Sequence, residues 1–123
     1  MPLRCLIVDD NQHFLRAARS LLEREGIAVV GIATTIEEAL SLSHSLRPDA
    51  ILIDIVLGDE SGFDLARRLD EQGFSTRSSV ILISTHSESD FSDLIEKSPA
   101  QGFLSKAELS AAAIRGFLDG ASR

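Results

Sequence analysis

Ala50-Ile51-Leu52-Ile53 is apolar at every position and stops at Asp54. A strand with one face in water alternates apolar and polar side chains, so an unbroken run of this length belongs to a strand covered on both faces. That feature alone demands helices above and below a sheet. Four further β-rich runs accompany it: residues 3–8, stopped by Asp9-Asp10; residues 27–32; Val80-Ile81-Leu82-Ile83, ending at Ser84; and Gly102-Phe103-Leu104-Ser105.

Helical spacing fills the intervals. Between Gln12 and Glu25 apolar residues fall at Phe14, Ala17, Ala18, Leu21 and Leu22, and Gly26 supplies a stop. Thr35-Ile36-Glu37-Glu38 has the form of a capping box and opens a helix with Ile36, Ala39, Leu40 and Leu46 on its apolar face, closed by Pro48. Phe63, Leu65, Ala66 and Leu69 mark a third helix ending near Gly73. Phe91, Leu94 and Ile95 share one face of a weaker fourth, before Pro99, and Leu109, Ala112, Ala113 and Phe117 belong to a fifth. Five strands alternating with five helices predict an α/β fold: a parallel sheet with right-handed crossovers, covered on both sides. Ligands of such sheets bind outside the carboxyl ends of the strands.

Size and composition narrow the function. The 123 residues fit one ordinary domain, and 44% hydrophobic with 25% charged residues is a globular composition. No apolar run is long enough to span a bilayer, and Met1-Pro2-Leu3-Arg4 does not open a signal peptide. Cys5 is the sole cysteine and cannot form an internal disulfide, so the expected compartment is the cytoplasm. Twelve basic residues against nineteen acidic ones leave a net charge of −7. That balance disfavours direct nucleic-acid binding and favours a divalent cation as partner. Without tryptophan or tyrosine, a base-stacking platform is not expected either.

The strand ends carry the chemistry. Asp9 and Asp10 follow the first run, Asp54 ends the third, Ser84-Thr85 ends the fourth, and Lys106 follows the fifth. Each has an ordinary structural reading taken singly. Asp9-Asp10 caps the first helix, Asp54 makes a turn, Ser84 satisfies a loop, and Lys106 is a solvated surface lysine. Together, three carboxylates, a hydroxyl and an ammonium converge on one sheet edge. Two like charges ~4 Å apart repel by about 4 kcal/mol at an effective dielectric near 20, so the cluster calls for a compensating cation. Mg²⁺ suits it, as a hard ion that takes one or two carboxylates, keeps waters and shares phosphates.

Leu6-Ile7-Val8-Asp9-Asp10, residues 54–62, Ile83-Ser84 and Phe103-Leu104-Ser105-Lys106 resemble the receiver domain of two-component response regulators. The spacing agrees: Gly62 lies eight residues after Asp54, Ser84 thirty after Asp54, and Lys106 twenty-two after Ser84. The resemblance covers essentially the whole chain, which is expected to be one receiver domain over residues 1–123. It implies a flavodoxin-like sheet of order 2-1-3-4-5. It implies that Asp54 accepts a phosphoryl group from a sensor histidine kinase or phosphotransfer protein, with Lys106 and Ser84 contacting that group. Mg²⁺, with Mn²⁺ as an alternative, would be held by Asp10, by Asp54, by the Val56 carbonyl, and by Asp9 largely through water. Ser84 and Phe103 would form the switch, acting on the surface of the helix after Ser84, the fifth strand and the last helix. Val56 and His86 would tune loss of the phosphoryl group. Such a chain is a phosphoacceptor switch and not an enzyme in the usual sense.

Several positions depart from the family pattern. Ala107 follows Lys106 where a proline is usual, Gly58 takes the place of a proline and leaves its loop more flexible, and Thr85 replaces a smaller residue. Phe103 lacks the hydroxyl of the commoner tyrosine, and Val56 cannot orient a water, which implies a long-lived phosphoryl group. Rival readings fare less well. A phosphatase of the haloacid-dehalogenase type needs a second acid where Val56 stands, and a nucleotide- or flavin-binding module needs a glycine-rich turn where Asp9-Asp10-Asn11-Gln12 has none. An inert pseudo-receiver would have lost an acid or the lysine, and none is lost. The chain is read either as a stand-alone receiver acting on an effector protein or as an excised domain of a DNA-binding regulator, with Ala121-Ser122-Arg123 as the start of a linker. The last helix is apolar enough to be core or a homodimer interface, core being the default.

Overall fold

A computed structural model describes residues 2–74 and 78–121. Strands β1 (Arg4–Val8), β2 (Ala28–Ala33), β3 (Ala50–Asp54), β6 (Ser79–Ser84) and β7 (Gly102–Ser105) form one sheet in the order β2-β1-β3-β6-β7, and every pairing in it is parallel. Strands β4 (Val56–Leu57) and β5 (Glu60–Ser61) form a separate antiparallel hairpin. With the hairpin set aside, the order is the expected 2-1-3-4-5. Helices α1 (Gln12–Arg24), α2 (Ile36–Leu46), α3 (Gly62–Glu71), α4 (Ser92–Lys97) and α5 (Ala111–Ala121) supply the crossovers, giving the flavodoxin-like, doubly wound arrangement.

Successive strand residues point to opposite faces, so each central strand feeds two apolar layers. Cys5, Ile7, Leu52, Ile81 and Ile83 pack with Leu15, Ala18 and Leu22 of α1 and Ala111 and Ile114 of α5. Leu6, Val8, Ile51, Ile53, Val80 and Leu82 pack with Ile36 and Ala39 of α2 and Leu65, Ala66 and Leu69 of α3. All of β3 is buried, as its unbroken apolar run requires. α5 joins the first layer, so its apolar face is core; the Phe117 ring occupies the space a side chain at Gly102 would need.

Three details differ from the sequence reading. Residues 56–61 form a hairpin in place of a flexible loop, with Gly58 at φ +60 in its turn. α4 is only six residues long, preceded by a 3₁₀ turn at Glu88–Phe91, and Leu94 points to solvent at 51% exposure. Phe91, Leu94 and Ile95 therefore do not share one buried face. The segment is rich in Ser, Asp and Glu, which compete for backbone hydrogen bonds, and it has no capping side chain. Leu109, finally, precedes the last helix, following a 3₁₀ turn at Lys106–Glu108.

Helix starts are held from near and far. Thr35 Oγ1 accepts from the Glu38 amide, but Glu38 reaches back to the Thr34 amide, one residue beyond the N-cap amide that a true capping box would use. The first amides of α2 and α5 are each taken by a distant glutamate. Ile36 N–H donates to Glu60 Oε1 at 3.0 Å, and Ala111 N–H donates to Glu25 Oε1 at 2.7 Å. Among the described residues no helix is long and apolar enough to cross a membrane. Ser122 and Arg123, read above as the start of a linker, lie outside the described residues.

Candidate functional site

Parallel pairing brings the carboxyl ends of β1, β3, β6 and β7 to one edge. Asp9 continues β1, its amide donating to the Ala33 carbonyl at 2.9 Å. Its side chain is fully buried: Oδ1 accepts from Asn11 N–H at 2.9 Å, and Oδ2 sits 2.6 Å from Lys106 Nζ. Asn11, not either aspartate, caps α1, accepting from the Phe14 amide. Asp10 is exposed and lies beneath the hairpin turn, where a Cβ on Gly58 would be 3.5 Å from Asp10 Oδ2.

Asp54 ends β3 at 8% exposure. Its Oδ1 accepts from Val56 N–H and its Oδ2 from Lys106 Nζ, both at 3.2 Å. Gly62 is required beside it, because any side chain there would strike the Asp54 carbonyl. Lys106 thus bridges two aspartates, with its ammonium also 4.3 Å from the centre of the Phe14 ring. Helical spacing alone marks Phe14 only as an apolar residue of α1; its place in the first turn of that helix, at the strand-end edge, is the signal for a site role.

Electrostatics follow from this geometry. Burial raises the Asp54 carboxyl above its ordinary pKa and the neighbouring Asp9 adds to the rise, while Lys106 and the Val56 amide oppose it. For Lys106, burial alone would weaken the charged form, but Asp9 and Asp54 outweigh it and raise the pKa. One ammonium faces three carboxylates whose oxygens lie within 4.8 Å of one another, leaving two formal negative charges. Asp9 Oδ2 accepts no hydrogen bond of proper geometry despite its ion pair. An all-oxygen donor set with this residual charge fits a hard divalent cation.

The remaining expected residues sit around this core. Ser84 ends β6, is 1% exposed, and its Oγ accepts from the His86 amide at 2.9 Å with His86 Nδ1 at 3.4 Å. The His86 ring is exposed and meets Phe91 edge-on at 5.6 Å. Val56 projects outward at 47% exposure and offers only its backbone to the site. Phe103, half-buried, packs against the second apolar layer, as do Phe91, Ile95 and Ala100, and pairs with Leu82 in the sheet register.

Known proteins share this fold. The response regulator receiver domain profile matches residues 5–115. The nitrate/nitrite response regulator protein NarL of Escherichia coli K12 is 32% identical over 106 residues, 85% of this chain and 48% of that protein. A LuxR-family two-component response regulator from Aurantimonas superposes with a TM-score of 0.86 at 27% identity, over 98% of this chain and 87% of that one. A Burkholderia pseudomallei response regulator, solved with a phosphorylated aspartic acid, calcium ion and citrate, superposes at 0.81 with 25% identity, over 98% of this chain and 69% of that one. The chain spans about half or less of the length of the first curated relatives it matches. Sequence profile, relatives and fold agree that this chain belongs to the response regulator receiver domain family of two-component signalling.

Proposed function

We propose that residues 1–123 form one receiver domain that accepts a phosphoryl group on Asp54 and thereby switches a protein-binding surface. The observation that carries this reading is Lys106 bridging the buried Asp9 and Asp54. It poises a cation beside the one carboxylate that sits at the centre of the sheet edge. The Burkholderia relative with its phosphorylated aspartate supports the assignment by likeness.

An Asp54 carboxylate oxygen attacks phosphorus, forming the acyl phosphate as the donor's P–N bond to histidine breaks. Because phosphoryl transfer runs through a loose transition state, the protein's task is positioning and charge neutralisation. Lys106 exchanges a carboxylate for a phosphoryl oxygen, and the Ser84 hydroxyl leaves its own turn to donate to another. Asp9, Asp10, Asp54 and the Val56 carbonyl are the groups that would hold Mg²⁺ or Mn²⁺. The ion, when bound, supplies the positive charge that the incoming phosphoryl group requires. Withdrawal of Ser84 makes room for Phe103 to turn inward and reshapes the face of α4, β7 and α5. Val56 and His86 flank the acyl phosphate; an apolar Val56 slows its hydrolysis. The phosphodonor is a sensor histidine kinase or phosphotransfer protein in the cytoplasm, and the reader is an effector protein, a fused DNA-binding domain or a second copy.

Incubation with acetyl phosphate and Mg²⁺ should add one phosphoryl group by intact mass, persisting for minutes or longer. The adduct should vanish without Mg²⁺ and in Asp54→Asn. An adduct that survives in Asp54→Asn would assign the acceptor elsewhere, and a half-life of seconds would contradict the role given to Val56.

A further inference from the structure

The hairpin that follows Asp54 is tied down at a point the catalytic reading does not use. Its inner end is held by Val56 N–H to Asp54 Oδ1 and by Gly62 N–H to the Ile55 carbonyl at 2.7 Å. Leu57 is 2% exposed in the second apolar layer, and Ser61 caps α3 by accepting from Phe63 N–H. The far strand, by contrast, is exposed on both residues. Besides its pairing with β4 and the Ser61 cap, it is tied to the start of α2 by Glu60, whose Oε1 accepts from Ile36 N–H, twenty-four residues upstream.

Ile36 is the first residue of α2, and its amide is one that a capping side chain does not reach, since Ncap side chains bond the second or third amide. Thr35 serves Glu38 in that way, leaving Ile36 to Glu60. A carboxylate is favoured at this helix end by the helix dipole as well as by the hydrogen bond. The hairpin so fixed carries Val56 on one side and, on the other, the Gly58 turn beside Asp10 Oδ2.

We propose that Glu60 is a positioning residue, pinning residues 56–61 to the start of α2 and so fixing the segment that carries the Val56 carbonyl against the Asp9, Asp10 and Asp54 cluster. The inference rests on the reading of that cluster as a Mg²⁺ site, and the hairpin half of it stands apart from the metal. Loss of the Glu60 anchor frees the outer strand, and the cost is paid in cation affinity more than in folding.

Glu60→Ala, Glu60→Gln and Thr35→Ala are compared by Mg²⁺ titration of the Asp10 and Asp54 amide resonances and by hydrogen exchange at Gly62. Glu60→Ala should weaken Mg²⁺ binding roughly tenfold, the lower end of what losing an outer support of a metal ligand costs, and should speed Gly62 exchange. Glu60→Gln keeps the acceptor and should restore both. Thr35→Ala weakens the same helix end without touching the hairpin, so it should lower Tm and leave both readouts unchanged. The proposal is overturned if Glu60→Ala leaves Gly62 exchange at the wild-type rate, or if Thr35→Ala shifts Mg²⁺ affinity as much as Glu60→Ala does. A wild-type protein that binds no Mg²⁺ would refute the metal reading, while Gly62 exchange in Glu60→Ala still decides whether Glu60 pins the hairpin.

Discussion

The sheet is gripped firmly on one side of Ser84 and loosely on the other. β3 is buried along its whole length, with Ile51, Leu52 and Ile53 at 0% exposure, and β1 is buried from Cys5 onward. After Ser84, the 3₁₀ turn at Glu88–Phe91 and α4 contribute no buried residue, and only Leu104 of β7 is buried. Apolar burial sets how much free energy local opening costs. The proposed phosphoacceptor therefore stands on the part of the molecule that resists movement, and the proposed switch runs first through α4 and β7, the part that yields, before it meets the buried face of α5. A receiver needs both, because a signal is transmitted only if one end of the lever is fixed.

The contrast is most easily broken by paired truncations. Ile53→Ala should cost about 2–5 kcal/mol in urea unfolding, the usual range for emptying a fully buried aliphatic site. Leu94→Ala in α4 should change stability by no more than about 0.5 kcal/mol. Similar losses at the two positions would show that α4 is held as tightly as β3.

Cys5 offers a titration of the firm side. Burial pushes its thiol from 9.0 to about 12. Below pH 9 the thiol is protonated in both states and contributes nothing. Between pH 9 and about 12 the unfolded chain releases the proton while the folded chain keeps it. Stability therefore falls as pH rises, by up to about 1.4 kcal/mol per pH unit. In Cys5→Ala the decline between pH 9 and 11 should be visibly shallower, as read by urea unfolding at each pH. Parallel declines would mean that the β1 layer admits a charge.

The smallest expected effect sharpens the comparison at the site itself. Burial and Asp9 raise the Asp54 pKa from 3.8, so the native state loses stability as pH rises through the folded value. Asp54→Asn should then melt a few degrees above wild type at pH 7, an advantage that fades below pH 3.8. Added Mg²⁺ should raise the wild-type Tm and leave the variant unmoved. A variant less stable than wild type at pH 7 without metal would show that Lys106 more than offsets the clustered charge.

Most of this frame was legible in the residues. The uninterrupted run before Asp54 demanded a strand covered on both faces, and the acids, Ser84 and Lys106 fell at strand ends in the order the fold requires. The hairpin was missed although Gly58-Asp59, between two short pairs, is a two-residue turn signal; each of its strands has only two residues, too few for periodicity to register. α4 was overdrawn because three apolar residues at helical spacing suggested a face that the polar segment around them cannot bury. Glu60 to Ile36 and Glu25 to Ala111 had no local signal at all. Each joins a side chain to a backbone amide brought near only by the finished fold.

That last pairing also bears on how the chain matures. α5 covers the layer formed by α1 and the central strands, and its first amide is secured by a glutamate eighty-six residues upstream. On the ribosome α5 emerges after α1 and all five strands of the sheet, so Cys5, Ile7, Leu52 and Ile81 wait against an incomplete cover until it follows. During that interval the nascent protein presents a broad apolar surface, the condition under which chains aggregate or engage chaperones.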